Sequence, residues 1–105
     1  MEPLIRIVKN RPEGDADKYN AVICLGNLYA EKAVEPLIGV LRNKMEYTPT
    51  RVEAARALGK IGARRAKEAL TAVSSDQNDD ERVRNAAKKA LEDIEKAPEP
   101  KPDSI

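Results

Sequence analysis

The 105-residue chain carries 19 basic and 18 acidic side chains and no histidine, with 41% hydrophobic, 35% charged and 3% aromatic residues. That length holds one domain with a modest core, able to bury about two thirds of its unfolded surface. The near-even charge supplies no global field for nucleic acid, the single cysteine allows no internal disulfide, and no stretch reaches the roughly 18 apolar residues of a membrane span. The opening MEPLIRIVKN has no secretory pattern of basic residues, long apolar run and small-residue cleavage site, so a cytoplasmic protein is expected.

Self-similarity dominates the chain. Glu2-Pro3-Leu4-Ile5 returns as Glu35-Pro36-Leu37-Ile38, an interval of 33, and a weaker third copy reads Glu68-Ala69-Leu70-Thr71. A second series keeps the same period: Ala21, Leu25, Gly26 and Leu28 map onto Ala54, Leu58, Gly59 and Ile61, then onto Ala87, Leu91, Glu92 and Ile94. Two interleaved series mean two helices per repeat. Spacing and caps predict helices over about 2–10, 15–29, 33–43, 49–61, 64–75 and 79–96. Pro3 and Pro36 sit near helix starts, Thr48-Pro49 suits an N-cap followed by proline in the first turn, and Gly62 suits a helix end. Asp79, Asp80 and Glu81 place negative charge at the start of the last helix. Arg11-Pro12-Glu13-Gly14, Asn43–Tyr47 and Ser75–Asn78 read as loops. Residues 1–96 form the expected repeat domain, and 97–105, APEPKPDSI, the expected disordered tail, having three prolines and no apolar periodicity. The fold class is all-α, a superhelix of helical hairpins with about six helices in repeats of 33 residues.

Thr50 to Gly62, TRVEAARALGKIG, with the helix that follows, resembles the HEAT-type repeat in its short, phycobilisome-lyase-like form. In that form the first helix runs close to V-R-x-A-A-x-x-A-L-G-x-I-G and the second close to A-V-x-P-L-I-x-x-L. Arg51, Ala54, Ala57, Leu58, Gly59, Ile61 and Gly62 match the first; Ala33, Val34, Pro36, Leu37, Ile38 and Leu41 match the second. The resemblance covers residues 2–94 and implies a binding scaffold with no cofactor; it names no partner. Tyr29 departs from it by replacing the terminal glycine of the first repeat. Lys67, Thr71 and Ser74 replace apolar residues of the last second helix, so the final repeat is expected to pack least well.

The resemblance puts the second helices on the concave face, where Arg6, Lys9, Glu35, Arg42 and Glu68 point away from their apolar stripes and become the candidate binding surface for another protein. Arg51, Arg56, Lys60, Arg64, Arg65 and Lys67, against the single acid Glu53, form a basic patch, and nucleic acid or another polyanion is the alternative partner. A solvated helix face and loop is the favoured reading of the same residues, since no aromatic side chain lies within the stretch to stack a base. Lys18, Arg51 and Arg84 share one repeat position, where an arginine in HEAT-like families bonds backbone or acidic groups between repeats. Tyr47, in a loop, is the exposed aromatic anchor candidate, with Tyr19 and Tyr29 expected at helix contacts. Cys24 stands where Ala57 and Ala90 stand, so it is expected in the core.

Catalysis is not expected: without histidine the commonest general base is absent, and the lone cysteine has no imidazole to activate it. Asp76, Asp79 and Asp80 fail the spacing of a calcium loop, and no phosphate loop or pigment pocket is legible. In the first helix Leu4, Ile5, Ile7 and Val8 span an apolar arc of roughly 160° with neighbours on one side only. Leu4, Ile7 and Val8 are therefore candidates for weak self-association or partner docking, with Ile7 the expected exposed member.

Overall fold

A computed structural model describes residues 2–96; the expectation of a disordered tail over 97–105 lies outside the described residues. Among the described residues six helices follow one another and there is no strand: α1 (Glu2–Asn10), α2 (Ala16–Asn27), α3 (Val34–Arg42), α4 (Thr48–Ile61), α5 (Lys67–Ser75) and α6 (Glu81–Lys96). Single 3-10 turns, Glu31–Ala33 and Arg64–Ala66, lead into α3 and α5.

The connections repeat atom for atom. Gly62 ends α4 in the left-handed region, and Ala63 N donates to Leu58 O at 3.2 Å. One repeat earlier Tyr29 takes the same conformation at φ 53°, with Ala30 N donating to Leu25 O at 3.1 Å. A side chain thus pays a small strain where glycine would be relaxed. On the other edge, Asn43 Oδ1 accepts from Met45 N and Asp76 Oδ1 accepts from Asn78 N, both at 3.0 Å, so the same side-chain turn starts the loops that lead into α4 and α6. At the N-cap of α2, Asp15 accepts from Lys18 N at 3.0 Å. Thr48, expected as an N-cap, is instead the first residue of α4. Tyr47 holds the cap position with no side-chain bond, and the proline stays in the first turn.

The long helices α2, α4 and α6 form one layer and the nine-residue helices α1, α3 and α5 the other. The described chain measures 46 × 34 × 16 Å, and its thinnest extent is what two helix layers about 10 Å apart give. Within the long-helix layer small residues let backbones meet: a β-carbon added to Gly26 would lie 2.8 Å from Ala57 Cβ, and one on Gly59 3.0 Å from Ala90 Cα. The short helices touch one another far less. Leu25, Leu37, Leu41, Leu58, Leu70 and Ile94 are fully buried between the layers. The last repeat is buried at Leu70 and Val73 as α3 is at Leu37 and Val40, but it packs less fully than the one before it: Lys67 and Ser74 are half-exposed where Val34 and Leu41 are fully buried, and Leu91 is half-covered where Leu25 and Leu58 are fully buried.

Candidate functional site

The five binding-surface candidates, Arg6, Lys9, Glu35, Arg42 and Glu68, are all exposed on the short helices. The register sorts them by sign. Glu2, Glu35 and Glu68 stand in the first turns of α1, α3 and α5, and Lys9 and Arg42 in the last turns of α1 and α3, each sign where it complements its helix dipole. An acidic line and a basic line therefore run across the stack. The middle position between them holds Arg6, Gly39 and Ala72, all exposed, and a β-carbon on Gly39 would meet nothing within 4 Å. Over α3 and α5 the face is thus a low floor, Gly39 and Ala72, between two rails of opposite charge, with Arg6 standing at its α1 end and Arg65 Nη1 reaching Glu35 Oε2 at 3.8 Å.

The basic patch does not assemble as one surface. Arg51 lies inside: its guanidinium donates to both Asp79 carboxylate oxygens, at 2.7 and 2.8 Å, and its Nε to Leu41 O at 2.9 Å. This corrects its place among the patch residues and bears out the inter-repeat role. Of the remaining five, Arg56 and Lys60 lie on α4, where Arg56 approaches Glu53 at 3.7 Å and Lys60 donates to Asn27 Oδ1 at 2.7 Å. With Val52, Ala86, Lys89 and Asp93 they line a shallow groove between α4 and α6. Arg64 and Arg65 belong to the turn before α5, and Lys67 opens that helix, paired with Glu95 at 2.7 Å. Cations and acids interleave on both surfaces.

Lys18 repeats the Arg51 arrangement one repeat earlier. Its buried ammonium sits 2.6 Å from Glu46 Oε2 and donates to Arg11 O at 3.2 Å. Glu46 and Asp79 are themselves 33 apart, so a cation from each long helix meets the acid of the following loop. Asp79 is held below the ordinary aspartate range, first by the hydrogen bond from Arg51 and against the opposing pull of burial. In the third repeat Arg84 Nε donates to Asp79 O at 3.1 Å. The three aspartates that could suggest a cation loop are engaged separately: Asp76 with Lys44, Asp79 with Arg51 and Asp80 with Arg82. Of the two tyrosines expected at helix contacts, Tyr19 is half-buried beside Tyr47 and Pro49.

Four exposures depart from expectation or were not foreseen. Cys24, expected in the core, is exposed, and so is Tyr29. Both belong to the first repeat, where no described helix covers α2 on its N-terminal side. Leu28 and Met45 are exposed without having been singled out, while Tyr47 is exposed as expected. In α1, Ile7 and Leu4 are half-covered, and Val8 is buried, which removes it from the self-association candidates.

No helix among the described residues is long and apolar enough to cross a membrane. No curated protein matches the chain. A family model for HEAT repeats matches residues 1–98, which takes in all six described helices. The chain belongs to the HEAT-repeat family.

Proposed function

We propose that this protein is a non-catalytic cytoplasmic scaffold that binds another protein across the face formed by α1, α3 and α5, taken as the concave one. HEAT repeats are commonly protein-interaction scaffolds. The observation that carries the reading here is the pairing of an acidic rail, Glu35 and Glu68, with a basic rail, Lys9 and Arg42, across the low floor at Gly39 and Ala72. Such a trough fits an elongated partner element carrying bases along one side and acids along the other. Its charges supply register and encounter rate more than raw affinity. The matches at Arg51, Ala54, Leu58 and Gly59 support the short, phycobilisome-lyase-like branch of the family. Affinity capture from the source cell with wild type, with Glu35→Arg/Arg42→Glu and with Arg56→Glu/Lys60→Glu tests the proposal. Proteins bound by wild type should be lost with the first variant and kept with the second; the reverse pattern overturns it.

Polyanion binding is the second reading, favoured by Arg56, Lys60 and Lys89 along the groove between α4 and α6. Glu53 and Asp93 within the same stretch oppose it, the latter 3.1 Å from Lys89. Retention on heparin that falls steeply with salt would favour this reading, and flow-through at low ionic strength would end it.

A further inference from the structure

The internal register allows each position of the first hairpin to be compared with its two equivalents. Cys24 is exposed where Ala57 and Ala90 are buried, and Asp17 is exposed where Thr50 and Val83 are fully buried. Leu28 is 54% exposed where Ile61 is half-covered and Ile94 fully buried, and Leu4 and Ile7 are half-covered where Leu37, Leu70, Val40 and Val73 are buried. All these losses fall on one side, the side on which Ala57 and Ala90 meet the preceding long helix.

What covers that side elsewhere in the chain is on view. It is a long helix bearing glycine at the contact, Gly26 against Ala57 and Gly59 against Ala90, with no room for a β-carbon. The same helix carries a buried cation eight residues earlier, Lys18 or Arg51, which pairs with Glu46 or Asp79 of the hairpin it covers. The equivalent acid on the open face is Glu13, which is exposed and whose Oε2 accepts from Asn43 Nδ2 at 2.9 Å, leaving its other oxygen for a cation. At the other end of the stack the third long helix keeps the cation, Arg84, but has Glu92 for the glycine and Lys88 where Val22 and Ala55 are fully buried; both Glu92 and Lys88 are exposed. A second copy stacked head to tail would drive the Glu92 side chain into Cys24 at a contact that excludes even a methyl group. The open-ended assembly such heterologous contacts create is thereby blocked.

We propose that the face of α1 and α2 left open by the described helices is a docking site for a helical hairpin stacked on it as a preceding repeat. Its contact helix carries Lys or Arg, seven intervening residues and Gly. The glycine seats on Cys24, the cation pairs with Glu13, and apolar side chains cover Leu4, Ile7 and Leu28. This surface is separate from the short-helix trough.

The chain can be made its own probe. Lys88→Ala/Glu92→Gly gives α6 the cation-to-glycine pattern of α2 and α4, so one copy presents the required helix to the open face of the next. In sedimentation, wild type should remain monomeric and the double variant should form head-to-tail oligomers, its apparent mass at least doubling over roughly a hundredfold rise in concentration. Adding Cys24→Arg or Glu13→Lys should return it to monomer, and Lys88→Ala/Glu92→Ala, whose methyl has no room, should stay monomeric. A monomeric double variant overturns the proposal, as do oligomers indifferent to Cys24→Arg. Wild-type self-association abolished by Cys24→Arg also overturns it, by making the face a contact between copies. If the double variant loses its helical circular dichroism, Glu92→Gly alone, with the glycine already tolerated in α2 and α4, is judged by the same outcomes.

Discussion

The two ends of the stack are built from the same positions and differ in chemistry. On the N-terminal side, Leu4 and Ile7, half-covered, and Cys24 and Leu28, exposed, keep the small or apolar character of equivalents that are more deeply covered. On the C-terminal side the positions of Val22, Ala55, Gly26 and Gly59 are taken by Lys88 and Glu92, and Asn85 stands where Tyr19 and Val52 are half-covered. A charged outer face is how solenoids keep a terminal repeat from further stacking. The difference teaches that burial in this fold belongs to the neighbour rather than to the residue: one position is core, surface or cap according to which helix lies against it.

That claim can be broken by altering equivalent positions and comparing the costs. Asp79→Ala would leave Arg51 buried without its carboxylate, and a thermal melt should show a loss of about 3 to 5 kcal/mol. Arg84→Ala, at the same repeat position but half-exposed and bonded to one carbonyl, should cost about 1 kcal/mol or less. Equal costs would contradict the inter-repeat role of the buried pair. Leu58→Ala should cost about 2 to 5 kcal/mol, because the leucine is fully buried between both layers. In the first repeat Leu28→Ala, at a half-exposed residue, should cost only a fraction of that, and chemical denaturation would show it.

Acid sharpens the comparison. Asp79 sits below the ordinary aspartate value of 3.8 because Arg51 bonds its ionised form, so below that value the unfolded chain binds the extra proton more readily. The stability this supplies is present above the unfolded value and is lost as pH falls through the folded one. The melting-temperature gap between wild type and Asp79→Asn should therefore be wide at pH 7 and close progressively below about pH 4. A gap that stays constant down to strongly acid pH would show that Asp79 is not the linked group. The smallest expected effect is a gain. Thr50 Oγ1 is buried with no hydrogen-bond partner among the described residues, and the next repeat carries Val83 at that position. Thr50→Val should stabilise by about 1 kcal/mol in a urea titration, and a destabilised variant would point to a partner for the hydroxyl.

The hairpin register was legible because the period of 33 is written twice, in Glu-Pro-Leu-Ile and in Ala-x3-Leu-Gly, and every loop reuses the same turn. The inter-repeat role of Arg51 was legible too, from a position shared with Lys18 and Arg84. Its acid was hidden, because Asp79 looks like a helix cap until the fold brings it 28 residues back onto Arg51. Cys24 and Tyr29 misled for one physical reason: periodicity reports which side of a helix is apolar, not whether a helix covers it. Glu92 was visible as a break in the Gly26–Gly59 series, yet its meaning needed the contact at Ala90 that leaves no space for a β-carbon.

The claim that the N-terminal side stands open is tested most directly at Cys24, whose equivalents are buried alanines. The rate of thiol modification by a maleimide, in native buffer and in denaturing urea, reads the cover over that position. The account predicts a native rate within about tenfold of the unfolded one, as for a thiol on an open helix face. Protection of about a hundredfold or more, reactive only through opening of the fold, would contradict it.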